Sequence, residues 1–375
     1  MKSHRIGIDA RMYSSSFTGI GRYTYELISE LIKTDTLNTY VIFLNEPEYS
    51  AFNITAPNVE KVCVNAKHYS LQEQLSFPIK LYKAKLDLVH FTHFNSPILY
   101  FGKQVVTIHD LTLSYFQGKK MTSLIHRLAY HLSVWSVTKK AKKIIAVSKN
   151  TKLDIEKLLH IPSSKIQVVY EGASSSFTRI QDEIQLNAVR KKYNLTKPFF
   201  LYAGVWRTHK NVLGLLKAFH ILRTEYNLDM DLVITGRKDP VYTEVPDTIT
   251  TLGLADRVHL VGLVSQEDLN LLFNAANTYV FPSFYEGFGL PALEAFSVDL
   301  PVASSNASCL PEICGEGNAT FFDPHSPEDM AKKLYETATD DTLRKKLIAG
   351  GRKRLLDFSW TEMSKETLEI YQSLL

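Results

Sequence analysis

Glu286 and Glu294 stand eight positions apart around a Gly-Phe-Gly-Leu-Pro turn, inside the run Phe-Pro-Ser-Phe-Tyr-Glu-Gly-Phe-Gly-Leu-Pro-Ala-Leu-Glu-Ala-Phe over 281–296. Thr278 to Phe281 reads as the end of a buried strand, and Pro291 has the fixed φ that suits a helix start. Gly287 and Gly289 let the loop bare its amides from Gly287 through Phe288 to Leu290, and the helix N-terminus behind them adds partial positive charge. Such a turn suits a phosphate-bearing ligand. Two carboxylates beside a plain anion would repel it. A nucleotide-sugar reconciles the two demands, because its sugar and ribose hydroxyls need acceptors while its diphosphate needs donors. The competing reading is a strand–turn–helix whose glycines only permit the turn and whose Glu294 only complements the helix dipole.

Three further junctions carry residue types fit for chemistry. Ser14 to Tyr23 follows the first strand and opens a helix, and its Gly19-x-Gly21 pair lets backbone approach a phosphate or sugar closely. The third glycine of a dinucleotide fingerprint is missing, which disfavours NAD. His109, in Thr107-Ile108-His109-Asp110-Leu111, falls at the carboxyl end of a strand, where open α/β sheets bind ligands. Tyr202 to Asn211 holds Gly204, Arg207, His209 and Lys210 between a strand and a helix, and cations there would clamp a diphosphate. A solvated basic loop is the plainer alternative for that stretch. His93, after another strand, is a weaker candidate for meeting an acceptor. No carboxylate or His/Cys grouping points to a metal, and no cofactor is expected.

The elements that would position these residues alternate. Strands are expected at Arg5–Asp9, Tyr40–Leu44, Asp87–Phe91, Val105–Ile108, Ile144–Val147 and Ile166–Val169, with helices at about 20–33, 71–83, 121–142 and 149–159. The second half repeats the scheme, with strands at Phe199–Ala203, Leu232–Thr235, Val258–Val261, Thr278–Phe281, Val302–Ala303 and Thr320–Phe322. After Asn211, Val212, Leu215, Leu216, Phe219 and Leu222 share one helix face. Ser265 and Ser326 are good N-caps. Alternation of this kind predicts parallel sheets covered by helices on both faces. The polar stretch Glu171 to Lys197 reads as the interdomain connection.

The chain has 375 residues, 45% hydrophobic and 22% charged, a size that predicts two domains of an ordinary globular protein. No apolar run approaches a membrane span, and the start lacks a secretory apolar region, so a cytoplasmic location is expected. Cys63, Cys309 and Cys314 match no zinc spacing and read as reduced thiols. Charge is uneven: residues 1–180 carry +10 of an overall +4, leaving −6 for the rest. Residues 111–150 hold Lys119, Lys120, Arg127, Lys139, Lys140, Lys142, Lys143 and Lys149 with no acid. That segment, 119–149, predicts an anionic partner, with a peripheral membrane surface preferred to nucleic acid, for which no recognition motif is present. On the helix over 121–142, Leu124, Leu128, Leu132, Trp135 and Val137 are expected to pack on the sheet.

Within Pro-Ser-x-x-Glu-Gly-Phe-Gly-Leu-Pro-x-x-Glu-Ala, the Glu pair resembles the donor site of glycosyltransferase family 4, retaining enzymes of the GT-B fold. The resemblance covers nearly the whole chain. It implies an α/β protein of two Rossmann-like domains facing across a cleft: an acceptor-side domain at 1–180, a nucleotide-sugar domain at 181–357, and a last helix, 358–375, that crosses back. It further implies that Glu286 contacts the transferred sugar, Glu294 the ribose, His109 the sugar and Lys210 the phosphate, with Gly19 and Gly21 near phosphates and acceptor. Gly236, Arg237 and Val264 match the positions that hold the nucleoside, and Glu312 a supporting position. The Arg usual directly after the glycine of Gly204-Val205 is absent, and Arg207 is its nearest substitute. No metal ion is implied. The opening Ile-Asp-Ala-Arg…Thr-Gly-Ile-Gly-Arg-Tyr looks most like transferases of bacterial surface polysaccharides, often mannosyltransferases using GDP-mannose on glycan or lipid-linked acceptors. Transferases of this fold using UDP- or dTDP-sugars, a glycan phosphorylase and a non-catalytic nucleotide-binding module are the alternatives.

Overall fold

The computed structural model describes residues 2–13, 19–53, 56–66, 68–116, 124–237 and 242–375, with the side chains of 124–126 left aside. Two compact units emerge. The described parts of 1–111, 121–172 and 359–375 form one, and those of 112–120 and 173–358 the other.

The first unit is built on a parallel seven-stranded sheet: β1 Arg5–Asp9, β2 Thr39–Leu44, β3 Val59–Cys63, β4 Leu88–Phe91, β5 Gln104–Ile108, β6 Lys143–Ala146 and β7 Ile166–Val168. The order is β3-β2-β1-β4-β5-β6-β7. Its central strands are largely apolar and buried on both faces, as covered parallel sheets require, with Asp9, His90, Gln104 and Thr107 as buried polar exceptions. Right-handed crossovers put the helix Gly19–Thr34, between β1 and β2, on one face. The same rule puts the helices Leu71–Lys83 and Leu124–Lys140, whose connections run the opposite way, on the other face. The last helix, Trp360–Gln372, packs on Gly19–Thr34. Its Tyr371 hydroxyl reaches His90 Nδ1 at 2.6 Å, and His90 Nε2 meets the Thr107 hydroxyl at 2.8 Å.

The second unit has a parallel six-stranded sheet: β8 Phe199–Ala203, β9 Asp231–Thr235, β10 Val258–Gly262, β11 Thr278–Phe281, β12 Val302–Ser305 and β13 Thr320–Phe322. Its order is β10-β9-β8-β11-β12-β13, so β8 and β11 are neighbours. The helix Val212–Thr224 buries the face formed by Val212, Leu215, Leu216, Phe219 and Leu222, as its spacing predicts.

Four sequence expectations need correction. The edge strand β3, Val-Glu-Lys-Val-Cys, is half exposed and carries Glu60 and Lys61, so its pattern is too polar to read as sheet. The stretch read as a connection contains the helix Glu183–Lys192, which Asp182 caps by accepting from Ile184 N at 2.9 Å. The main segment of the second unit starts at Ala173 rather than at 181. Phe177 stacks edge-on against Phe273 at 5.1 Å, and Ile180 N donates to Asn274 Oδ1 at 2.7 Å, which draws this segment onto the second unit.

The fourth correction concerns Leu124–Lys140. Lys119, Lys120 and residues 121–123 lie outside the described residues, as does the Leu124 side chain. Tyr130, Val134 and Val137 face the core, whereas Leu128, Leu132 and Trp135, expected on the sheet, face solvent. The helix is apolar on two sides, so sequence pattern alone could not choose the buried one. Among the described residues no helix is long and apolar enough to cross a membrane.

Candidate functional site

The loop after β11 is shaped by its neighbour after β12. Ser305 Oγ donates to Ser283 O at 2.7 Å, and Ser308 Oγ donates to Glu286 O at 2.6 Å while accepting from Glu286 N at 3.2 Å. The buried Cys309 thiol donates to Phe288 O at 2.9 Å. Gly289 then caps the helix Leu290–Ser297 with φ +116°, a conformation L side chains avoid. Ala292, Leu293, Ala295 and Phe296 bury themselves in the core, which leaves Glu294 on the half-buried side. The sequence reads Cys309 only as a reduced thiol. Its support of the loop carbonyls is invisible in sequence, because nothing there announces which backbone a thiol will meet.

Lys210 meets Glu286 at the head of this loop. Lys210 Nζ lies 2.7 Å from each carboxylate oxygen of Glu286, and Ser283 Oγ donates to Oε1 at 2.6 Å. The pair is largely shielded, with 24% of the lysine and 11% of the glutamate side chain exposed. Asn211 sets the approach. It adopts left-handed φ +55°, accepts from Gly214 N through Oδ1, and donates from Nδ2 to Pro282 O at 3.0 Å and Pro324 O at 2.8 Å. Phe284 N donates to His209 O at 2.8 Å, so the loops after the adjacent strands β8 and β11 are stitched together. Burial, followed by the Glu286 charge, pushes the Tyr202 phenol well above its ordinary value. Arg207 is exposed, and among the described residues its side chain makes no hydrogen bond or ion pair.

Beside this lies a floor of bare backbone. Gly204 N donates to Thr235 O at 3.1 Å, and Gly236 N donates to Gly262 O at 2.9 Å. Gly236 has φ +123°, and a Cβ there would collide with the Gly204 carbonyl. The carboxyl ends of β8, β9 and β10 therefore present main chain, with Arg237 exposed and Val264 half-buried beside them. A flat nucleoside suits such a floor, and Lys210 with the Gly287–Leu290 backbone offers positive charge for a diphosphate. Glu312 sits in the short helix Leu310–Cys314, where its carbonyl accepts from Arg354.

The first unit gathers a polar cluster at the carboxyl ends of its strands. His109 is buried, with Nε2 at 2.9 Å from the Thr92 carbonyl and Nδ1 at 3.1 Å from Glu171 Oε1. A carbonyl can only accept, so Nε2 donates to Thr92 O, and Nδ1 is taken up by the Glu171 carboxylate. In this arrangement the ring offers a sugar no nitrogen until one bond is exchanged. Glu171, read as the start of a linker, is a residue the sequence reading missed. Its signal was its place just after β7, the same strand-end rule that singled out His109. Arg11 is also new: its guanidinium binds Asp9 at 2.8 Å through two nitrogens and Glu73 through a third, all three residues being buried. His93 lies in the same cluster, its Nδ1 accepting from Asn95 N at 3.2 Å. Gly19 opens its helix with open space where a Cβ would stand, and Gly21 is buried two residues further into the turn. Ser14 to Thr18, the rest of that motif, lies outside the described residues.

Among the described residues no group of three or more His, Cys, Asp or Glu could hold a metal ion. An Asp-x-Asp pair does occur, Asp229-Met230-Asp231, but it leads into β9 and is paired with Lys197, Arg257 and His259.

Comparison with known proteins accords with this geometry. O-antigen chain mannosyltransferase B of Escherichia coli is 28% identical over 95% of this chain and 96% of its own length. Sucrose-phosphate synthase from Thermosynechococcus elongatus superposes with a TM-score of 0.79 at 18% identity, covering 99% of each chain. The Anabaena protein Alr3699/HepE, solved with UDP and glucose, gives 0.75 at 16% identity over 99% of this chain and all of its own. The family model described as Glycosyltransferase Family 4 matches residues 17–177, and that described as Glycosyl transferases group 1 matches 185–354. Between them these two halves span most of the sequence, and the chain belongs to this glycosyltransferase family, with the two parallel-sheet domains of the GT-B fold.

Proposed function

We propose that this glycosyltransferase moves a hexose, mannose from GDP-mannose, onto a hydroxyl of a glycan or lipid-linked glycan during synthesis of a bacterial surface polysaccharide, with retention of anomeric configuration. Likeness to an O-antigen chain mannosyltransferase supports the sugar and the acceptor class. The observation that carries the chemistry is the convergence of Lys210, Glu286 and the Gly287–Leu290 backbone at the carboxyl ends of the adjacent strands β8 and β11, with Glu294 one helical turn behind. In this reading Lys210, Arg207 and the loop amides receive the diphosphate, and Glu286 holds a hydroxyl of the transferred sugar. Glu294 accepts from the ribose, while Gly204, Gly236, Arg237 and Val264 bed the nucleoside. On the first unit, His109 is assigned to the sugar, and Gly19 and Gly21 to the phosphates and acceptor.

The reaction breaks the bond between the anomeric carbon and the phosphate oxygen, which departs with the electron pair. The acceptor oxygen bonds to the same face of that carbon and passes its proton to the departing phosphate. Charge growing on that phosphate is what Lys210 stabilises, so its interaction strengthens toward the transition state. No protein nucleophile and no metal ion enter this scheme.

Thermal-shift titration with GDP-, UDP- and dTDP-sugars, followed by NMR of the product, tests the proposal. Stabilisation by GDP-mannose and an α-linked product from the α-linked donor, unaffected by EDTA, are expected. Stabilisation by a UDP-sugar alone would reassign the donor, a reading favoured by the likeness to the protein solved with UDP and glucose. An inverted product, or magnesium-dependent turnover, would overturn the mechanism. Binding without turnover on any glycan acceptor would mark a nucleotide-binding module, and an absorbing pyridoxal group a phosphorylase.

A further inference from the structure

The helix Leu71–Lys83 buries Phe77, Pro78 and Leu81, yet its other side is apolar too. Leu71, Leu75, Ile79 and Tyr82 follow one another at spacings of four, four and three and all face solvent, Leu71 at 83% exposure. This stripe does not end with the helix. Tyr82 Oη accepts from Phe101 N at 3.0 Å, placing the loop that bears Leu99 and the 72% exposed Phe101 alongside it. Lys140 Nζ donates to Ile98 O at 2.7 Å and Tyr100 O at 3.0 Å, and sits 5.2 Å from the Phe101 ring centre. Lys140 in turn ends the helix Leu124–Lys140, whose Leu128, Leu132 and Trp135 form the second outward stripe, Leu128 at 70% exposure. Two helices on one face of the sheet and the loop between them thus share a continuous apolar surface. A contiguous exposed apolar patch of this extent marks an interaction site.

The charge around the patch says what covers it. Lys83, Lys85, Lys139 and Lys142 are exposed at its edge. The acid within the first helix, Glu73, is buried against Arg11, and residues 111–150 contain none. A second copy of this chain would bring a like-charged rim against this one, which repels. A surface that is apolar beneath and anionic above complements both features.

We propose that this face docks on an anionic lipid bilayer, with the two apolar stripes and Phe101 entering the boundary between headgroups and acyl chains, and Lys83, Lys85, Lys139 and Lys142 meeting lipid phosphates. This differs from attraction by the lysine run 139–143 alone. Lys140 is held by the carbonyls that shape the loop and, half-buried, is pushed down to about 8, while Lys143 Nζ donates to Ser164 O at 2.9 Å. The inference is independent of which sugar is transferred.

Trp135 supplies the probe, because Trp206 and Trp360 are buried. The whole chain is mixed with vesicles of equal parts phosphatidylglycerol and phosphatidylcholine, or of phosphatidylcholine alone, at about 0.1 M salt. Cosedimentation with the anionic vesicles is expected, together with a blue shift of Trp135 emission and its quenching by lipids brominated high on the acyl chain. Leu75→Ser with Ile79→Ser lowers partitioning by about tenfold or more at an unchanged thermal midpoint, since the lost area was exposed. Leu128→Ser with Leu132→Ser does the same from the other helix. Wild-type protein that ignores anionic vesicles, or binds them with Trp135 unquenched, overturns the proposal. So does a dimer in sedimentation equilibrium that Leu75→Ser with Ile79→Ser dissolves, because the occupant is then a second copy.

Discussion

Lys210 Nζ contacts both carboxylate oxygens of Glu286 at 2.7 Å, so the residue assigned to phosphate and the residue assigned to sugar form one ion pair. A diphosphate arriving at Lys210 competes with that carboxylate. On the proposed assignment, that competition lowers donor affinity. Removing one partner separates binding from turnover.

Glu286→Gln is expected to bind the free nucleoside diphosphate more tightly, because Lys210 loses its competing anion. A partly shielded pair of about 1 kcal/mol corresponds to roughly fivefold in Kd. The same variant loses turnover by about tenfold or more, since the sugar contact that grows in the transition state is weakened. Lys210→Gln should weaken nucleoside diphosphate and lower turnover together. Calorimetry of the two variants decides the matter, and unchanged affinity in both would remove this pair from the donor site. Glu294→Ala is expected to weaken every ribose-bearing ligand alike.

Asn211 should be the most sensitive structural position near the site. Asn211→Ala loses the cap on Gly214, leaves two buried carbonyls, Pro282 and Pro324, without Nδ2, and strains a left-handed backbone. Together these cost about 2–4 kcal/mol. Asn211→Gly keeps the backbone conformation and recovers about 1 kcal/mol of that loss. Thermal midpoints of the two variants check the ordering, and equal loss in both would show that φ is not what Asn serves here.

Gly236 and Gly262 both have positive φ, but they differ in what surrounds them. A Cβ at Gly236 collides with the Gly204 carbonyl, whereas nothing lies within 4 Å of one at Gly262. Gly262→Ala should therefore cost about 1–2 kcal/mol of backbone strain and leave nucleotide affinity intact. Gly236→Ala must also push β8 and β9 apart at their carboxyl ends, so nucleotide affinity falls with stability. Titration of a nucleoside diphosphate into both variants distinguishes strain from obstruction.

What sequence made legible followed from local rules. Twelve strands could be read because a parallel sheet buries both faces and leaves uninterrupted apolar runs, and β3 escaped because an edge strand keeps Glu60 and Lys61 in water. Glu286, Glu294 and Lys210 could be singled out as candidates because strand ends and helix starts are marked by Gly and Pro. Ser308, Cys309 and Asn211 were not assigned as supports, since each acts by bonding the main chain of a distant loop. Glu171 and Arg11 join partners 62 residues away in sequence, and no spacing rule reaches that far. The outward stripes of Leu71–Lys83 and Leu124–Lys140 show the same limit: helical periodicity reveals two apolar sides without saying which one the sheet takes.

Acid should destabilise the first unit before its carboxylates titrate. Burial, aided by repulsion from His109, pushes His90 down from 6.5 to about 3, and burial likewise holds His93 well below its ordinary value. Both therefore stay neutral in the folded chain at pH values where the unfolded chain protonates them. The His90 contribution is complete above pH 6.5 and is lost as pH falls from there toward 3, at about 1.4 kcal/mol for each pH unit, and His93 adds a loss in the same direction. Thermal midpoints between pH 7.5 and pH 5, a window above ordinary carboxylate titration, should fall steadily. His93→Gln, which cannot take up the proton, should flatten that slope even if its midpoint starts lower. A wild-type midpoint that stays level across the window would mean that both rings are already charged in the folded protein.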